Sequence, residues 1–174
     1  MQAWLLGGLV AAASGGTPAD GDAYGDWGVN LAVIVATTVA VGLCVTLHYE
    51  VLSWLSRRLG GKDRTGRHHR RQVLYGIFGV LSVHVCEIWI FGVAFYLLQS
   101  ISPSFGHVHG IAAGSLVDHV YFSAVTFTTV GFGDVIPFGP VRFLAGTEAL
   151  TGFVLITWSA SFTFLEMGRF WRRD

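Results

Sequence analysis

Three long apolar stretches decide what this chain of 174 residues can become. Residues 29–47 hold no charge at all; at 1.5 Å of helical rise per residue they cover about 28 Å, close to the hydrocarbon thickness of a bilayer. Residues 73–98 are long enough to cross with tilt. Residues 138–164 form the third stretch, with Pro137 and Pro140 marking its entry. Trp27 and Trp54 flank the first stretch as interface anchors would. The chain is 52% hydrophobic and 13% charged, with mean hydropathy +0.56, a balance that excludes disorder and argues against an ordinary soluble domain.

Between the second and third stretches lies Thr128-Thr129-Val130-Gly131-Phe132-Gly133-Asp134. Glycines alternating with Val130 and Phe132 permit backbone conformations that bulky residues alone resist. Such alternation can turn successive carbonyl oxygens toward one line, with side chains pointing away. Ahead of it, Ser115-Leu116-Val117-Asp118 resembles a capping box with aspartate in place of glutamate. A helix from Leu116 to about Thr128 is too short to span and reads as re-entrant.

The run Thr126-Phe127-Thr128-Thr129-Val130-Gly131-Phe132-Gly133-Asp134 resembles the signature of tetrameric potassium channels. In those channels rings of carbonyl oxygens replace the hydration shell of a dehydrated cation. The resemblance covers about residues 73–170 and implies that Thr129, Val130, Gly131 and Phe132 donate carbonyls. It places Gly133 at the outer end of the filter and Asp134 at the outer mouth. Phe132 stands where tyrosine is more usual, which keeps the ring and loses a bracing hydroxyl. Tyr121 and Phe122 occupy positions where many family members carry two tryptophans, implying, with Thr128, support around the filter. Val125 is apolar where some members have a carboxylate partner for the filter-end aspartate, so the partner of Asp134 stays open. Gly152 falls where the inner helix often bends; a close helix crossing is the other reading. Ile156 and Ala160 fall at inner-cavity positions. One filter motif per chain implies a homotetramer, with K⁺ as permeant ion and no cofactor.

Charge supplies an independent check. Seven of the eleven Lys and Arg lie between Arg57 and Arg71, and residues 1–28 carry none. The positive-inside rule places this basic connection and the Arg169–Arg173 tail in the cytoplasm, and the N-terminus outside. The re-entrant segment then enters from outside, the orientation such a filter needs. The basic run reads as a topology determinant with anionic-lipid contact as an addition, rather than as a nucleic-acid site.

Polar residues inside the spans are costly and need partners. His84 and Glu87, three residues apart on one helical face, form a candidate pH-sensitive intramembrane pair or a hydrogen-bonded packing pair. Glu148 should face protein rather than lipid. Cys44, His48, His84 and Glu87 suggest a metal site, but His48 lies near the cytoplasmic end of its helix and His84 about 16 Å into its own. The depths disagree, and the cysteines point to no disulfide framework. His107, His109 and His119 on the outside, and His48, His68 and His69 inside, permit pH sensing by residue type. Ala11-Ala12-Ala13 slightly resembles a signal-peptide cleavage site, though no positive residue precedes it. No span carries arginine at every third position, and no soluble domain is expected after the last helix.

The expected architecture is an all-α membrane protein: three transmembrane helices plus a re-entrant pore helix and selectivity-filter loop, assembling as a tetramer. Its divisions are an extracellular segment 1–28, a first helix 29–55, a basic cytoplasmic loop 56–72, an outer pore helix 73–98, an extracellular loop 99–115, pore helix and filter 116–137, and an inner helix with cytoplasmic tail 138–174. The expected function is passive, potassium-selective conduction at the cell membrane, without enzymatic chemistry. The alternatives are a weakly selective cation channel, a membrane metal-binding protein using His84 and Glu87, and a non-conducting membrane subunit.

Overall fold

A computed structural model describes residues 25–59, 66–112 and 114–171. The described elements are helix α1 (Trp27–Leu59), helix α2 (Gly66–Ile101), a 3-10 turn (Pro103–Phe105), strand β1 (His107–His109), helix α3 (Leu116–Phe127), strand β2 (Ile136–Phe138) and helix α4 (Val141–Trp171). Among the described residues, three helices are long and apolar enough to cross a membrane: α1, α2 from Arg71 onward, and α4 up to Glu166. The fold is thus the expected all-α membrane arrangement, with one small ribbon added.

Each long helix buries one stripe and leaves apolar residues on its other side. Along α1 the buried positions are Val33, Thr37, Ala40, Cys44, His48, Leu52, Leu55 and Leu59, a spacing of three and four residues that keeps them on one face. Leu31, Ile34, Val35, Val39 and Leu43 point outward. Apolar residues on both sides suit a helix whose solvent is hydrocarbon. Its threonine hydroxyls find partners within the helix: Thr37, Thr38 and Thr46 donate to carbonyls one turn back at 2.7, 2.8 and 2.7 Å, which spares them an unpaired hydroxyl in an apolar surrounding.

The helices extend past the apolar stretches. α1 continues twelve residues beyond Leu47, because Leu52, Leu55 and Leu59 prolong its buried stripe. α2 begins at Gly66 rather than near Val73, so the second half of the basic connection is helical. The N-terminal segment 1–24, Lys62 and Arg64 lie outside the described residues. α4 starts at Val141 rather than at Phe138, which belongs to β2. Pro140 has no N–H to offer a helix and suits the position just ahead of it.

α1 lies along both α2 and α4, while α3 is inserted between α2 and α4. The core joining them places four phenylalanines, Phe91, Phe95, Phe122 and Phe127, among aliphatic residues such as Leu144 and Leu155. Close approach is bought with glycine. A Cβ at Gly92 would meet the backbone of Val120 on α3, and one at Gly152 would meet the carbonyl and ring of Phe127. Gly152 therefore has a packing reason in a helix that runs unbroken from Val141 to Trp171.

The extracellular loop of the sequence reading contains structure. β1 and β2 form an antiparallel ribbon pairing His107 with Phe138, Val108 with Pro137 and His109 with Ile136. The His107 ring stacks on Phe138 at 5.3 Å between centroids. Gly106 and Gly110, at φ 97° and 92°, flank β1 where a Cβ would strike the carbonyls of Phe138 and Asp134.

Candidate functional site

The loop after α3 takes its shape from a helix that ends in side-chain and backbone caps. Ser115 accepts from the Asp118 N–H at its N-terminus (3.3 Å), but the Asp118 carboxylate reaches the Ala112 N–H (3.0 Å) rather than returning to Ser115. At the other end the Thr128 hydroxyl donates to the Ala124 carbonyl (2.7 Å), and the Thr129 N–H to Thr126 (2.9 Å). The Gly131 N–H turns back to the Val125 carbonyl at 3.2 Å.

Beyond that point the backbone alternates. Thr129, Gly131 and Gly133 have φ of 58°, 51° and 84°, with Val130 and Phe132 between them. Thr129 is the one non-glycine residue of positive φ among the described residues. A β-branched residue pays for that conformation with roughly 1–3 kcal/mol of local strain. Left-handed backbone at every second residue reverses the usual alternation of peptide planes and lets successive carbonyls share a direction. Every residue from Thr128 to Asp134 is exposed in the single chain, including the bulky side chains of Val130 and Phe132.

Asp134 has a partner that Val125 does not supply. The Tyr121 hydroxyl donates to its Oδ2 at 2.7 Å. Tyr121 precedes Val125 by one turn on the same face of α3, and its longer side chain covers the distance. The signal was present in that four-residue offset. The hydrogen bond to Asp134, with desolvation and the carboxylate charge adding to it, raises the Tyr121 pKa above the usual phenol value, so the hydroxyl stays a donor. Phe122 is buried and meets Phe95 edge-on at 4.9 Å, tying α3 to α2. Val125 is buried beside it. Ile156 and Ala160 are exposed on α4.

Glu148 is fully buried, as expected of a carboxyl inside a span. Its Oε1 meets the Ser123 hydroxyl, which also lies 2.8 Å from the Ile88 carbonyl and, with one hydrogen, donates to one of the two at a time; its Oε2 has no partner among the described residues. Ser123 thereby links α2, α3 and α4 at one point, a role the sequence reading did not assign to it.

The intramembrane pair becomes a triad. His84 Nδ1 lies 2.8 Å from Glu87 Oε2, and His48 Nδ1 lies 2.8 Å from Glu87 Oε1. His48 Nε2 is 3.3 Å from Ser159 Oγ on α4. This corrects the depth argument. The uncharged stretch ends at Leu47, but His48 lies on the buried stripe of a helix that runs to Leu59, level with Glu87. His48 is therefore not an inner-surface histidine. His119 is likewise not an outer-surface one: it is buried on α3, against the Ser115 carbonyl (2.7 Å) and the edge of Tyr96.

Residues 83–167, from the middle of α2 through the loop to near the end of α4, match a protein family described as an ion channel. Protein LctB of Geobacillus stearothermophilus is 34% identical over 70 residues, covering 37% of this chain and 52% of that protein. Protein LctB of Bacillus caldotenax is 45% identical over 40 residues, covering 23% of this chain and 30% of that protein. The chain thus spans about half the length of the first relative and under a third of the second. No solved structure matches it significantly. The family match and the membrane-spanning helices together support an ion channel of the pore-loop kind in a membrane.

Proposed function

We propose that four copies of this chain assemble into a potassium-selective channel that conducts K⁺ passively. The observation that carries this reading is the alternation at Thr129, Gly131 and Gly133. Four such loops around an axis give stacked rings of carbonyl oxygens that stand in for water around a dehydrated ion. The exposed filter residues of one chain are the surface such an arrangement would cover. Thr129, Val130, Gly131 and Phe132 supply the carbonyls, with the Thr129 hydroxyl innermost. Gly133 closes the outer end, and Asp134, held by Tyr121, sits at the mouth. The C-terminal end of α3 points its negative dipole end toward the inner side of the filter, favouring a cation there. Ile156 and Ala160 line the inner cavity.

The N-terminus lies outside and the C-terminus in the cytoplasm in this reading. Arg57 and Arg58 close α1, and the Arg58 guanidinium sits 5.4 Å over the Trp54 ring. That aromatic and basic pair suits the inner interface and contact with anionic lipid.

The test is ion uptake by purified protein in liposomes. Uptake of rubidium or potassium with sodium excluded supports the proposal. Equal uptake of sodium replaces it with a weakly selective cation channel, and no uptake of either refutes conduction.

A further inference from the structure

The geometry points to a divalent transition-metal site at His48, His84 and Glu87, clasping the first helix to the pore unit. One donor atom from each residue lies within 4.8 Å of the other two. Tetrahedral zinc-type sites hold nitrogen and oxygen donors at about 2.0–2.2 Å from the ion, which sets donor-to-donor spacings of about 3.4 Å. The two histidine-to-carboxylate distances of 2.8 Å need only open slightly to match that spacing.

The orientation of His48 is a second, independent observation. Its Nδ1 faces the centre of the cluster while its Nε2 faces the Ser159 hydroxyl at 3.3 Å. A metal-ligating imidazole places one nitrogen on the ion and donates its other N–H to a fixed acceptor. The walls are apolar on two sides: the Trp158 ring lies 5.2 Å from that of His48, and the Phe127 ring 5.8 Å from that of His84. His48 and Glu87 are fully buried and His84 is 14% exposed. Water therefore competes weakly for the donors. Two imidazoles and one carboxylate suit a borderline ion such as Zn²⁺ or Co²⁺ rather than Ca²⁺ or Mg²⁺, which prefer all-oxygen shells. Three protein ligands leave one coordination position for water or a further group.

The site joins α1 to α2 beside Ser159 of α4 and the C-terminal end of α3. It gives the first helix, which lies outside the stretch matching the ion-channel family, a means of stiffening the helices around the pore.

The experiment uses the full chain in detergent, stripped with chelator and titrated with Co²⁺. The expected result is one Co²⁺ per chain with visible bands of four-coordinate character, displaced by Zn²⁺ and not by Mg²⁺. Removal of a partner to a metal ligand commonly costs about 10- to 100-fold in affinity, so Ser159→Ala should weaken binding about 10-fold, and His84→Ala, which removes a ligand outright, should weaken it more. Cys44→Ser should leave the spectrum unchanged. The proposal is overturned if the wild-type chain takes up no Co²⁺ in four-coordinate form. Affinity unchanged in His84→Ala would overturn it too, and loss of the ion in Cys44→Ser would overturn the three-ligand assignment. None of these readouts depends on conduction, so failure here is distinct from failure of the potassium reading.

Discussion

Replacing Ser123 by alanine should loosen the pore helix, and the cost can be worked from its contacts. The Ser123 hydroxyl is fully buried, lies 2.8 Å from the Ile88 carbonyl and meets the Glu148 carboxyl. Without it, Glu148 keeps no partner from Ser123, and its Oε2 already lacks one among the described residues. Leaving a buried polar group unmatched costs about 1–3 kcal/mol. Hydrogen bonds between membrane helices average about 0.6 kcal/mol, with a maximum near 1.7. Complete burial and the second unmatched oxygen favour the upper scale, so Ser123→Ala should cost about 2 kcal/mol. In a Glu148→Met background the unmatched carboxyl is gone. Ser123→Ala there should cost only its bond to Ile88, about 0.6 kcal/mol. The difference, about 1.4 kcal/mol, is tenfold in an equilibrium constant. Reversible unfolding in mixed micelles of the wild type, both single variants and the double variant measures it. Equal costs in the two backgrounds, within the roughly 0.5 kcal/mol expected of independent sites, would refute the coupling and with it the role of Ser123 as a junction.

Gly152→Ala places a methyl against the Phe127 carbonyl and ring; an overpacking cost of about 1–3 kcal/mol is expected, seen as earlier thermal unfolding, and unchanged stability would mean that the helices part easily here. Tyr121→Phe removes the donor to Asp134, and single-channel records should show shorter openings, with Asp134→Asn giving the same effect and the double variant no more than either alone. Gly131→Val puts a β-branched residue at φ 51°, where it resists the left-handed conformation; potassium uptake by liposomes should be abolished while the helical far-UV signal stays.

The positions of the spans and of the loop were legible because hydropathy and glycine spacing are local properties. The alternation seen at Thr129, Gly131 and Gly133 follows from where the glycines stand, with Thr129 the exception that residue type alone would not predict. Ser115 was legible as a helix cap for the same reason. His48 was not, because a hydropathy window treats a polar residue as an exit, whereas the stripe Cys44, His48, Leu52 and Leu55 continues inward. The partner of Asp134 was hidden because Val125, at the position facing it in related sequences, is apolar, and a hydroxyl one turn earlier reaches it. The β1–β2 ribbon was hidden because three-residue strands containing proline carry almost no periodic signal.

That ribbon has a mechanical consequence. It fastens the chain shortly before α3 to the chain just after Asp134, so the segment between β1 and β2 is a hoop pinned at its neck. A pull on α4 along the backbone should therefore be resisted at that neck before it reaches residues 128–134. Displacement of α4 is felt by the hoop instead through side-on contacts, where Gly152 rests on Phe127 and Glu148 meets Ser123.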